Sequence, residues 1–140
     1  FKARHPSGQV LIPNNPRMRR YGTNPYVGYD TASAPFLFKG EMPEGMEPMA
    51  RVIVVRRKEA DPIIVALGHL RRVGALTIDG VRLSWRAGRS SALDTREMAR
   101  GRDIGTVEVV SDASDAPLVY DVTFAFVAHA FHPDIPIIGK

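Results

Sequence analysis

The chain opens and closes on the same phrase, and this repetition constrains its folding more than any other feature. Phe1-Lys-Ala-Arg-His5-Pro6-Ser-Gly-Gln-Val-Leu is echoed by Ala128-His129-Ala-Phe-His132-Pro133-Asp-Ile-Pro-Ile-Ile. Each copy is a short apolar-basic stretch closed by His-Pro, then a small polar turn and an aliphatic run. Proline forces the residue before it out of the α conformation, so a helix entering either copy ends at its His. Ser7-Gly8 and Asp134 then supply turn chemistry before the chain extends. A helix end at residue 5 places residue 1 inside an element, and the chain does not begin with Met. The expectation is a single domain over 1–140, the C-terminal half of a longer, internally duplicated protein whose N-terminal half is its first partner.

A length of 140 residues suits one domain with an ordinary core, and 44% hydrophobic with 24% charged residues is the balance of a globular chain. No apolar run approaches the ~20 residues that span a bilayer as a helix, so no membrane-spanning segment is expected. Without Cys the chain offers neither disulfides nor thiolate metal sites. The net charge of +4 is unevenly spread, with clusters at Arg17, Arg19, Arg20, at Arg56, Arg57, Lys58, and at Arg71, Arg72. Acidic residues follow each cluster and no nucleic-acid motif is present. The clusters read as solvated surface, and no nucleic-acid partner is expected.

Arg51 to Arg56 is a continuous β-branched run bounded by charge, the pattern of a central strand. Shorter extended runs are Gln9 to Ile12, Pro62 to Ala66, Ile104 to Val110 and Leu118 to Val122. Ala75 to Ile78 and Val81 to Trp85 flank Asp79-Gly80, a hairpin whose type I′ turn requires positive φ at both turn residues. Leu67 to Val73 predicts a short helix closed by Gly74, Thr123 to Phe131 an apolar run of helix length, and Asp94-Thr-Arg-Glu97 a capping-box start to a helix ending at Arg100. Trp85, Phe124, Phe126 and Phe131 are expected in the core. The sum is α+β: a mostly antiparallel sheet, open or curled into a barrel, with a few short helices.

Residues 13–49 carry no periodicity and are punctuated by Pro13, Pro16, Pro25, Pro35, Pro43 and Pro48. Loops this long in compact domains are functional or disordered. Tyr21, Tyr26, Tyr29, Phe36 and Phe38 argue for an ordered loop laid over the core. Within it, Arg19, Tyr21, Tyr26, Tyr29 and Asp30 form the most distinctive string. Its rings could line a surface for an anionic or planar small molecule or a protein, or could pin the loop by burial.

Two other constellations are weaker. His129 and His132 share a helical face and form a metal half-site that His5 or His69 could complete; equally, His132 sits at a helix end that favours a cationic ring. Gly88-Arg89-Ser90-Ser91-Ala92 resembles a nucleophile elbow with Ala where the second Gly belongs, or is a loop whose hydroxyls satisfy backbone groups with Asp94 as a helix cap. Neither a dinucleotide fingerprint nor a phosphate loop occurs, and the cofactor is unknown.

The string Arg19 to Asp30 (Arg-x-Tyr-Gly-x-Asn-Pro-Tyr-x-x-Tyr-Asp), Ser-Ala-Leu-Asp at 91–94 and Ala-Phe-His-Pro-Asp at 130–134 resemble a bacterial domain family of unknown function. The resemblance implies an upstream half with a Cys-Pro-x-Cys segment, a secretion signal and hence a periplasmic or secreted location. It implies no activity. Two functions stand open: a non-catalytic binding or interaction module using the aromatic and arginine loop, or a metal-binding or enzymatic domain completed by the upstream half through His129 and His132.

Overall fold

The computed structural model describes residue 3 and residues 5–140. Among the described residues seven strands and two α-helices follow in the order β1 (Arg51–Val55), β2 (Ile63–Ala66), α1 (Leu67–Val73), β3 (Ala75–Ile78), β4 (Val81–Arg86), β5 (Thr106–Ser111), β6 (Tyr120–Phe124), α2 (Ala125–Phe131) and β7 (Ile137–Ile138). They form two sheets, one ordered β6-β1-β2-β7 and one ordered β3-β4-β5. All pairings are antiparallel except the parallel pair of β2 with β7. The architecture is α+β with two open sheets, and the sheet does not close into a barrel.

The unbroken apolar run of β1 follows from its position. Both of its edges are paired, with β2 and with β6. Its two faces are also covered, because alternate side chains of a strand point in opposite directions. Ile53 and Val55, with Ile63 and Val65 of β2, meet Val81, Leu83, Val107 and Val109 of the second sheet and Leu67 and Leu70 of α1. Val52, Val54 and Ile64 face the other way, onto Ala125 and Ala128 of α2. The first sheet is thus the middle of three layers. A third cluster, Met49, Phe124 and Phe126, lies under the long loop and receives Tyr29, Phe38, Met42 and Leu93.

The hairpin forms with Asp79 at φ 47° and Gly80 at φ 75°, as its turn type demands. Helix α1 closes on Gly74 at φ 79°, whose N–H donates to the Leu70 carbonyl. The two repeated phrases make the same turn: Gly8 N–H donates to the His5 carbonyl at 3.0 Å, and Ile135 N–H to the His132 carbonyl at 3.3 Å. Helix α2 ends at Phe131, one residue before the His-Pro junction. The corresponding helix end before His5 falls on residues 1–4, of which 1, 2 and 4 lie outside the described residues.

Four expectations are corrected. Gln9 to Ile12 is not a strand: Val10, Leu11 and Ile12 are exposed and pair with no strand among the described residues, whereas the second copy's Ile137–Ile138 gains β2 as a partner. The segment after Asp94 is a single 3₁₀ turn over Met98–Arg100, because the Asp94 carboxylate accepts from Arg102 N–H instead of capping a helix. Leu118 to Val122 shifts to Tyr120–Phe124, since the start of the apolar run after it completes the β1 ladder. Phe131, at the last turn of α2, is 77% exposed rather than in the core.

Candidate functional site

The string Arg19 to Asp30 is laid against the loop of residues 91–102 by a ladder of backbone groups. Asn24 N–H donates to the Arg96 carbonyl at 2.9 Å, Gly28 N–H to Asp94 at 2.8 Å, Asp30 N–H to Leu93 at 3.2 Å, and Met98 N–H returns to Gly22 at 3.2 Å. The side chain of buried Asn24 tightens the turn: its Oδ1 accepts from Tyr26 N–H at 2.7 Å, an Asx turn, while its amide donates to the Thr95 carbonyl. Gly28, at φ 78°, precedes a 3₁₀ turn over Tyr29–Thr31. Two of the three sequence strings are therefore structural partners.

Asp30 ends this ladder in a charged cluster. Its side chain is fully enclosed. Arg51 Nη2 lies 2.8 Å from Oδ1, and Arg102 Nε donates to Oδ2 at 3.2 Å. Arg102 Nη2 also donates to the Asp30 carbonyl at 2.5 Å. Burial pushes the Asp30 carboxyl up, but the Ser91 hydroxyl, Arg102 and Arg51 together outweigh it and hold the group below its ordinary range. Arg51 lies over the Phe124 ring, 4.9 Å from its centre, so the same guanidinium ties the loop to β6.

The structure divides the predicted string into two sets. Tyr29 is half-buried, edge-on to Phe36 and Phe124, and with Asp30 it anchors the loop. Arg19, Tyr21 and Tyr26 face outward, the two rings 60% and 57% exposed. Ser91 is fully buried; its Oγ accepts from Leu93 N–H and from Arg51, so it holds the loop and presents no exposed nucleophile. His129 and His132 line one cleft with Glu41, Glu44 and Asp134, while His69 lines another. Among the described residues no group of three or more His, Asp or Glu side chains is arranged to hold a metal ion. Sequence reasoning missed the roles of Arg51, Ser91 and Arg102. The available signal was an acid, Asp30, set among aromatics, which must find buried cations if the loop packs.

A family model described as a protein of unknown function (DUF3179) matches residues 1–135, nearly the whole chain and all three strings. The chain belongs to this family. Within the family's matched region lie both repeats of the His-Pro turn and the entire Asp30 cluster. No curated protein and no solved structure matches the chain. Among the described residues no helix is long and apolar enough to cross a membrane.

Proposed function

We propose that this chain is a non-catalytic interaction module, and that the outward face of its N-terminal third binds a protein surface. One observation carries the reading. Among the described residues twelve large hydrophobic side chains are exposed, and nine of them fall between Val10 and Leu37. Single exposed apolar side chains are ordinary on a protein surface, whereas this concentration in one segment favours a contact surface there. Tyr21 and Tyr26 suit such a contact because each offers a large apolar ring with a polar tip and few torsions to immobilise. Arg19 adds a charged donor at the rim.

The occupant we propose is an upstream half of the same protein. The repeated turn supports it: after its second copy the chain pairs Ile137–Ile138 with β2, and after its first copy Val10 to Ile12 has no such strand. A sibling half would supply the missing partner. The resemblance of its three strings to a bacterial family whose members carry a secretion signal is the ground for a periplasmic or secreted setting.

Leu11→Asp tests the reading. Leu11 is 99% exposed, so in the 140-residue chain the substitution changes stability by less than about 0.5 kcal/mol. In a chain carrying the proposed upstream half, a charge forced into the interface lowers stability by about 2 kcal/mol or more. No loss in that longer chain would overturn the upstream half as occupant.

A further inference from the structure

The cationic cluster of Arg71 and Arg72, which reads from sequence as solvated surface, borders a cleft of about 520 Å³ between α1, the first sheet, the long loop and the loop before β5. That volume lies within the range of small-ligand sites. Five cationic side chains line the cleft against three carboxylates. Two of the carboxylates are committed, and Glu47 is the third. Asp30 is held by Arg51 and Arg102, and Asp103 accepts backbone N–H groups from Gly88, Arg89 and Gly105 at 2.8–3.0 Å. The remaining positive field is supplied by Arg71, Arg72 and Lys140.

His69 is seated by two constraints. Gly139, at φ 74°, lies so close that a Cβ there would overlap the imidazole ring, and Arg72 Nη2 lies 3.1 Å from Nδ1 on the other side. A guanidinium has no acceptor, so Nδ1 accepts and the neutral ring carries its proton on Nε2. His69 is thereby a second hydrogen-bond donor beside Arg72. The cleft also holds a buried donor with no acceptor among the described residues, Arg51 Nε, and an apolar lining from Met46, Met49 and Leu67.

We infer that this cleft binds a small organic anion, its carboxylate or phosphate group held by Arg72, His69 and Lys140 and its apolar body on the methionines. Guanidinium and imidazole N–H groups make the strong, charge-assisted bonds such oxyanions select. The site is separate from the Tyr21 and Tyr26 face, and either can stand without the other.

The test is a titration followed by the His69 ring resonances, with phenyl phosphate in one arm and benzoate in the other, at ionic strength held constant with sodium chloride. A saturable shift is expected, and the stronger arm identifies the oxyanion. Arg72→Ala weakens it at least about tenfold, the effect of removing one charge-assisted bond, as does Lys140→Ala. Arg17→Ala, outside the cleft, leaves it unchanged. Both cleft residues are exposed, so the variants fold, and a thermal melt checks this. No saturable shift in either arm, or equal binding by the cleft variants, would overturn the proposal.

Discussion

Asp30 and Arg102, 72 positions apart in sequence, are joined twice: Nε donates to the carboxylate at 3.2 Å and Nη2 to the Asp30 carbonyl at 2.5 Å. With Arg51 on the other carboxylate oxygen, this places one enclosed negative charge between two cations that come from β1 and from the loop before β5. The long loop is consequently fastened to the sheet at a defined point.

Asp30→Ala leaves Arg51, only 13% exposed, without its counter-charge. Removing one partner of a buried pair costs about 3–5 kcal/mol. Urea denaturation should show a loss in that range, with new proteolytic cleavage within residues 13–49. An unchanged midpoint would contradict the clamp.

The same carboxylate gives the fold an acid sensitivity. Its pKa in the folded chain is held below the ordinary value, so the unfolded chain binds the proton more readily. The stabilisation is complete above the unfolded value, about 4, and is lost as pH falls through the depressed folded value. Stability measured between pH 6 and 2 should therefore decline in the native protein. The decline should be shallower in Asp30→Asn, which has no proton to gain.

Much of the architecture was legible from local pattern. Arg51 to Arg56 announced a central strand because burial on both faces demands an unbroken apolar run, and Asp79-Gly80 announced its hairpin through the backbone conformation that turn requires. The ladder between residues 22–30 and 93–98 was not legible. It is made by main-chain groups and an Asx turn at Asn24, which impose no periodicity on the side chains. Val10 to Ile12 misled for the opposite reason. Its pattern is that of a strand, but a strand needs a neighbour, and among the described residues none pairs with it.

Tyr26 and Tyr29 separate surface from anchor. Tyr29→Ala, which removes a half-buried ring packed on Phe36 and Phe124, should cost about 1–2 kcal/mol and expose the loop to protease. Tyr26→Ala should change stability by less than about 0.5 kcal/mol and leave the loop protected. Equal effects from the two would contradict the division.

Gly105 has φ 70°, and a Cβ there would overlap the Trp85 indole, whose Nε1 donates to the Ile104 carbonyl at 3.0 Å. Gly105→Ala combines a strained backbone with a displaced ring and should cost about 2 kcal/mol or more. Because Trp85 is the sole tryptophan, a red-shifted fluorescence spectrum reports the displacement directly.

The central claim is that the outward face of the N-terminal third is an interface. Hydroxyl-radical footprinting of Tyr21 and Tyr26 in a chain carrying the proposed upstream half, set beside the 140-residue chain, tests it most directly. Both rings should label readily in the 140-residue chain and be strongly protected when the proposed upstream half is present. Equal labelling in both would contradict the account.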